Sequence, residues 1–150
     1  MSEYSFVTNW SFDAPIEAVW AEIENADNWP TWWRGVRRVE LIKDGNTDGI
    51  GSIRRTTWRS ALPYDLIFDS EVIRVEKFKL IDIRAFGQLE GRGVWSFSFD
   101  NETTHVRYDW TVVTNKRWMN LFAPIAKPFF RWNHDVIMKW GEDGLRNRLK

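Results

Sequence analysis

Residues 94–112 read VWSFSFDNETTHVRYDWTV, two runs of alternating apolar and polar side chains around a short polar segment. The apolar members of the two runs are Trp95, Phe97, Phe99, Val106, Tyr108, Trp110 and Val112. A period of two is that of a strand with one buried face. The Asn101-Glu102 pair between the runs is typical of a tight turn, so the stretch predicts an antiparallel hairpin with an aromatic inner face.

The same period extends back along the chain to about residue 36, interrupted by turn residues such as Asp44-Gly45-Asn46. The predicted strands begin near Val36 and continue as Ile53–Arg59, Tyr64–Glu76, Leu80–Phe86, Leu89–Phe99 and a segment around Val106–Val112. A further strand, Ser5–Phe12, precedes them. Consecutive strands joined by short turns indicate an antiparallel meander. Gly91 and Gly93 are typical of a bend or bulge within one strand.

Two segments change to a helical period. After Asp13, a good N-cap, Ile16 to Ile23 predict a short helix that ends before the aromatic segment Trp29–Trp33. Residues 118–150 predict a long amphipathic helix, whose continuous part is expected to begin near Pro128. Gly141 and Gly144 lie on its apolar side, which indicates either close contact with the sheet or room for a ligand.

This order of elements predicts an α+β fold. A curved antiparallel sheet of about seven strands, apolar on one face, is covered by the long C-terminal helix, with a short helix after the first strand. No internal repeat or linker divides the sequence, so residues 1–150 are expected to form one domain. A sheet wrapped on a single helix tends to leave a cavity between them.

Composition narrows the function classes. The 21 Lys and Arg balance 21 Asp and Glu, whereas nucleic-acid binding normally needs a basic face. There is no cysteine, which excludes disulfides and thiol nucleophiles. No apolar stretch approaches the ~20 residues of a membrane span, and the first residues do not resemble a secretion signal. We therefore expect a cytoplasmic protein without nucleic-acid partners or membrane integration; the sequence gives no oligomeric state.

Aromatic residues are the unusual feature: the chain has 11 Trp, 10 Phe and 3 Tyr. They are either a bulky core or, in part, the wall of a ligand pocket, because pockets are mostly apolar and aromatic. We predict a pocket above about 300 Å3 between the sheet and the last helix. The side chains expected to face it are Phe68, Trp95, Phe97, Trp110, Ile137 and Trp140.

Several motifs resemble the START-like (SRPBCC) superfamily, which includes polyketide cyclases/dehydrases, lipid-transport proteins and Bet v 1-like proteins. They are Phe12-Asp13-Ala14-Pro15-Ile16-Glu17-Ala18-Val19-Trp20, Asn28-Trp29-Pro30-Thr31-Trp32-Trp33, Leu121-Phe122-Ala123-Pro124, Arg131-Trp132-Asn133-His134 and Gly144-Leu145. The resemblance spans nearly the whole chain and implies the helix-grip fold. It does not fix an activity, because this fold serves carriers, enzymes and chaperone activators alike.

Polar residues on the apolar faces are the candidates for chemistry. Asn133 lies near the middle of the last helix's apolar side, with His134 toward its edge. Asn133 either makes a structural hydrogen bond to a strand backbone or a tyrosine, or offers a polar contact to a ligand in the cavity. Arg84 shares a face with Leu80 and Phe86, and points either into the cavity, where it would favour an anionic group, or to solvent. Tyr108, in preference to Tyr64, could present a phenol to the cavity.

Three function classes remain at this stage. The first is binding of an apolar or amphipathic small molecule for transport, sequestration or sensing. The second is an enzyme resembling the polyketide cyclases, in which Tyr108, Asn133 or His134 moves a proton. The third is a protein-interaction module like the chaperone activators. The sequence does not decide whether the chain is an enzyme. It lacks a nucleophile elbow, a dinucleotide fingerprint and paired metal-ligating histidines, so we expect no metal and no cofactor.

Overall fold

A computed structural model describes residues 3–59, 65–114 and 123–150 of the protein. The strands are β1 Glu3–Phe12, β2 Val36–Lys43, β3 Ile53–Arg59, β4 Asp65–Glu76, β5 Leu80–Gly87, β6 Leu89–Asp100 and β7 Thr103–Thr114. The helices are α1 Ile16–Glu24, a 3₁₀ helix Ala26–Thr31 and α2 Ala123–Arg148. The expectations for Tyr64 and for residues 118–122 fall outside the described residues.

The seven strands form one antiparallel sheet in the order β1-β7-β6-β5-β4-β3-β2. Strands β2 to β7 pair with their sequence neighbours, and β1 closes the far edge by pairing with β7, for example Phe6 with Trp110. The sheet is curved and α2 packs on its apolar face, so the predicted helix-grip architecture is confirmed. The short helix after the first strand is also present.

Three local predictions were wrong. Pro15, not Asp13, occupies the N-cap of α1, and Asp13 instead accepts a hydrogen bond from Thr103 Oγ1 at 3.3 Å. Helix α2 begins at Ala123 and includes Pro128. Strand pairing runs through Gly91 and Gly93 without a bulge. These glycines make room instead, because a Cβ atom on Gly93 would lie 2.5 Å from Tyr108 Oη.

The space between the sheet and α2 has two ends. At the first, which we call the packed end, the rings of Trp10, Trp33 and Trp95 contact one another at centroid distances of 5.4–6.2 Å. Trp33 Nε1 donates a hydrogen bond to the Ile137 carbonyl oxygen at 2.9 Å, which ties the segment before β2 to α2.

Two glycines allow this close approach. A Cβ atom on Gly144 would lie 1.9 Å from the Trp32 carbonyl oxygen, and one on Gly141 would lie 2.6 Å from the Trp33 indole. Of the two interpretations of these glycines, the structure therefore supports close contact. The helix can approach the Trp32-Trp33 backbone only where it has no side chain.

The opposite end, which we call the cavity end, is built by a second group of buried residues. They are Tyr4, Phe6, Phe68, Ala85, Leu89, Trp110, Val112 and Phe130. They come from the N-terminal half of β1, from the central strands and from the first half of α2. This end is not filled.

Candidate functional site

A cavity of about 190 Å3 lies at the cavity end, between the sheet and the first half of α2. Trp33 and Trp95 form its border with the packed end. Its volume is smaller than the 300 Å3 expected from the sequence. One reason is that two aromatic residues expected to face the cavity, Phe97 and Trp140, pack at the packed end instead.

Seven of the ten residues predicted to face the cavity do line it. They are Phe68, Trp95, Tyr108, Trp110, Asn133, His134 and Ile137. Phe97 lies in the packed end, where its ring is 4.9 Å from that of Trp20. Trp140 packs partly buried against the packed end, with the Arg34 guanidinium 4.2 Å from its ring.

Arg84 faces solvent, so its assignment to the cavity was wrong. Its side chain is 57% exposed, and it forms an ion pair with Glu71 at 3.0 Å. The prediction chose the wrong face of β5. Ile83 and Ala85 point inward, and the alternation of a strand then turns Arg84 outward.

Stacked rings form the sheet side of the cavity. Tyr108 stacks on Trp95 at 4.1 Å between centroids and on Trp110 at 5.7 Å. Trp110 in turn lies 5.4 Å from Phe68. Burial raises the pKa of Tyr108, so its phenol stays protonated at neutral pH. These four side chains form a continuous, uncharged aromatic part of the wall.

His134 stands on the helix side and stacks on Phe6, with 4.2 Å between ring centroids and an interplanar angle of 13°. Burial lowers the pKa of His134 to about 4, and Asp135, whose Oδ1 lies 3.8 Å from Nδ1, only partly opposes this. The imidazole is therefore neutral at pH 7, with one nitrogen able to donate and one able to accept a hydrogen bond.

Several polar atoms of the wall are buried without a hydrogen-bond partner among the described residues. They are Tyr4 Oη, Asn133 Oδ1, and Nδ1 and Nε2 of His134. An unsatisfied buried polar group costs about 1–3 kcal/mol. The structure therefore shows no structural hydrogen bond from another described residue to Asn133 Oδ1, which was one of the two interpretations of this residue. The residues that carry these atoms, Tyr4, Asn133 and His134, all line the cavity.

Tyr4 and Phe6 are site residues that the sequence analysis did not propose. The predicted strand began at Ser5, which left Tyr4 outside it, whereas β1 begins at Glu3. Extending the alternation by two residues would have placed Tyr4 on the same face as Phe6. Phe6 is an apolar position of the predicted strand Ser5–Phe12, but nothing in the sequence marked it as the partner of a histidine on α2.

The charged residues that line the cavity, Arg54 and Glu24, lie on β3 and α1 and not on β1 or α2. Arg54 on β3 donates to both carboxylate oxygens of Asp27, at 2.8 and 3.2 Å. Glu24, at the end of α1, is exposed. Within residues 3–59, 65–114 and 123–150, no group of three or more His, Cys, Asp or Glu side chains could hold a metal ion. No helix in the same ranges has both the length and the apolar character to cross a membrane.

Fold and cavity together define an α+β protein of the helix-grip type with an internal pocket. The chain belongs to the family described as "Polyketide cyclase / dehydrase and lipid transport", whose profile matches residues 5–150. No curated protein matches the chain in sequence.

Solved structures share the fold at low sequence identity. The Zhui aromatase/cyclase from Streptomyces sp. R1128 superimposes with a TM-score of 0.79 at 13% identity, covering 99% of this chain and 94% of that one. A START superfamily protein from Mycobacterium smegmatis gives 0.76 at 13% identity, with 97% and 96% covered. The di-domain aromatase/cyclase BexL gives 0.70 at 19% identity over 95% of this chain, which spans 50% of BexL. At these identities the likeness shows the fold alone.

Proposed function

We propose that this protein binds an apolar or amphipathic small molecule in the cavity, for transport, sequestration or sensing. The observation that carries the proposal is an internal cavity with an aromatic wall whose polar atoms have no protein partner among the described residues. Native interiors rarely leave either a void or unsatisfied polar atoms. Their coincidence at one place favours a ligand-binding role.

Native mass spectrometry of the purified protein tests this directly, because a bound molecule that survives purification adds its mass to the protein ion. We expect an adduct of a few hundred daltons or less, given the cavity of about 190 Å3. Titration with 1-naphthol, followed by calorimetry, provides a second measurement that does not depend on purification.

A blocking variant shows whether binding occurs in the cavity. Ser70 lines the cavity from β4, so Ser70→Phe should fill it and abolish 1-naphthol binding. Ile73 lies on the same strand but is 45% exposed, so Ile73→Phe is the matched control and should bind as the wild type does. Binding that persists in Ser70→Phe and in a second blocking variant, Val72→Phe, would contradict the proposal.

The second candidate function is cyclisation or dehydration of a polyketide-like chain in the same cavity. The family description and the likeness to aromatase/cyclases favour it. The titratable groups favour it less, since general acid–base catalysis works best with a pKa near the operating pH. The pKa of His134 is lowered to about 4 and that of Tyr108 is raised. Deuterium exchange at C3 of 2,4-pentanedione, accelerated by the protein and lost in Tyr108→Phe, would support this enzymatic role.

A further inference from the structure

The free polar atoms of the cavity are grouped at its β1–α2 corner. Phe6 connects them, because its ring lies 6.2 Å from that of Tyr4 and 4.2 Å from that of His134. Asn133 is the neighbour of His134 on α2. Two other buried polar atoms without a partner among the described residues, Nε1 of Trp10 and of Trp32, belong to side chains of the packed end. The corner is therefore a distinct polar spot at one end of an apolar pocket.

The chemistry of this corner is neutral and rich in acceptors. Asn133 Oδ1 can only accept a hydrogen bond, and a neutral His134 offers one acceptor nitrogen beside one donor. Tyr4 Oη can do either. Burial keeps the imidazole uncharged and raises the pKa of Tyr4, so none of the three carries charge at neutral pH. A ligand that carries a hydrogen-bond donor can satisfy a protein acceptor that has no donor within the protein.

The charged groups nearest to the corner are exposed to solvent; one of them, the Asp135 carboxylate, is 69% exposed and lies 3.8 Å from Nδ1 of His134. Arg54 lies on β3, five strand positions from β1 in the sheet order, and is paired with Asp27. Lys127 and Arg131 lie 5.7 and 5.0 Å from the ring centres of Tyr4 and Phe6, but both are exposed. Neither is among the described residues that line the cavity. A carboxylate or ammonium in the corner would lose its hydration and would gain only solvent-exposed counter-ions, which contribute little.

We propose that the ligand carries an uncharged hydrogen-bond donor, such as an alcohol, a phenol or an amide N–H, and inserts it at the Tyr4–Asn133–His134 corner. Its apolar body then lies along the Trp95–Tyr108–Trp110 wall. This inference rests on the proposed function and narrows the ligand class. It excludes fatty-acid-like anions and amines as the preferred cargo.

A series of naphthalenes with one ring system and different head groups tests the head-group preference. The probes are naphthalene, 1-naphthol, 1-methoxynaphthalene, 1-naphthoate and 1-naphthylmethylammonium, titrated by calorimetry at pH 7. We expect 1-naphthol to bind about tenfold more tightly than naphthalene, as one good hydrogen bond allows. The methoxy compound has the oxygen without the donor, so it can only accept from Tyr4 or His134 and should gain less over naphthalene than 1-naphthol does. Both ions should bind more weakly than naphthalene.

Two variants localise the preference. Asn133→Leu and Tyr4→Phe remove polar atoms of the corner, and each should reduce the advantage of 1-naphthol over naphthalene. Together they should reduce it to about twofold or less. Asp143→Asn is the matched control, because Asp143 is 52% exposed on α2 and is not among the described residues that line the cavity, so the ratio should be unchanged. If Asn133→Leu does not fold, Tyr4→Phe, which removes a single oxygen atom, still gives the comparison.

The outcomes separate the two proposals. Binding of naphthalene and 1-naphthol with equal affinity would overturn the donor inference while the proposed binding function stands. Preference for 1-naphthoate would also overturn it and would indicate that Lys127 or Arg131 reaches the ligand. An advantage of 1-naphthol that is unchanged in both variants would place the contact elsewhere and overturn it as well. Failure of every probe to bind, with no adduct in native mass spectrometry, would instead refute the proposed function.

Discussion

The two ends of the space under α2 are made of the same kinds of residue and differ in how completely they are filled. At the packed end Trp10, Trp33 and Trp95 contact one another, and Gly141 and Gly144 bring the helix backbone against the Trp32-Trp33 segment. At the cavity end the rings stack along the sheet and leave about 190 Å3 open below α2. One helix therefore serves two purposes: its second half stabilises the fold, and its first half faces the cavity. Four changes test this division.

Gly144→Ala should have the largest effect. The new Cβ atom would lie 1.9 Å from the Trp32 carbonyl oxygen, so the helix or the Trp32 backbone must move. Overpacking typically costs about 1–3 kcal/mol and occasionally more, and because the obstacle here is backbone we expect a gross cost of about 3–4 kcal/mol. Alanine gains about 1 kcal/mol of helix propensity over glycine, which offsets part of the cost.

We therefore expect a net loss of about 2–3 kcal/mol in the free energy of unfolding, measured with denaturant. Asn147→Ala, at an exposed position of the same helix, is the control and should change stability by less than about 0.5 kcal/mol. Equal stability of Gly144→Ala and the wild type would show that the packed end is not tightly packed.

Lowering the pH should destabilise the cavity end through His134. The unfolded histidine takes up a proton near pH 6.5, whereas the folded one does so only near pH 4. Between these values the unfolded state holds more protons, so stability falls as the pH falls, with the loss complete near pH 4. A pKa lowered from 6.5 to about 4 corresponds to a loss of at most about 3 kcal/mol.

His134→Phe keeps a ring stacked on Phe6 but does not titrate. The wild type should therefore lose more stability than this variant between pH 7.5 and 4, as followed by denaturant unfolding at each pH. Carboxylates in ion pairs titrate in both proteins and cancel in the difference. Parallel pH profiles for the two proteins would mean that His134 is solvated in the folded state.

Asn133→Leu should leave stability nearly unchanged or raise it by up to about 1 kcal/mol. Asn133 Oδ1 has no partner among the described residues. The substitution therefore leaves none of those residues with an unsatisfied donor, and it removes an unsatisfied polar atom. Denaturant unfolding measures this. A loss of about 1–3 kcal/mol would instead identify Asn133 as a structural residue with a partner in the core.

Arg84→Ala should have the smallest effect. Exposed ion pairs such as Arg84–Glu71 contribute about 0–1 kcal/mol, and Arg84 is remote from the cavity wall. We expect a stability change below about 0.5 kcal/mol and unchanged affinity for 1-naphthol. A marked loss of binding would show that the inward orientation expected from the sequence occurs in solution.

The fold could be predicted because it depends on periodicity. The alternation from Val36 to Thr114 and the helical stripe after it are signals that each element carries locally, and they were sufficient for the sheet and its covering helix. The site was predicted in part, since inward aromatics such as Trp95, Tyr108 and Trp110 follow from the same alternation.

Errors arose where a face or a contact depends on distant residues. Ile83 and Ala85, not Leu80 and Phe86, mark the inner face of β5, and the local sequence supports both registers. The stacking of His134 on Phe6 joins residues from opposite ends of the chain. Whether tryptophan side chains enclose a space or fill it depends on how closely α2 approaches the sheet. Gly144 permits the close approach through its contact with Trp32. The two residues are far apart in sequence, so no local pattern predicts this contact.

The pairing of β1 with β7 has a consequence for biosynthesis. Glu3 pairs with Val113, so a ribosome must add about a hundred residues before the first strand can find its only neighbour in the described sheet. At about 5–20 residues per second this interval lasts about 5–20 s. During that time Phe6, Trp10 and Phe12 remain exposed on an unpaired strand, the kind of segment that chaperones bind and that aggregates when they do not. The corner proposed to bind the ligand's head group, built on β1 and α2, is thus completed only after both β7 and α2 have been made.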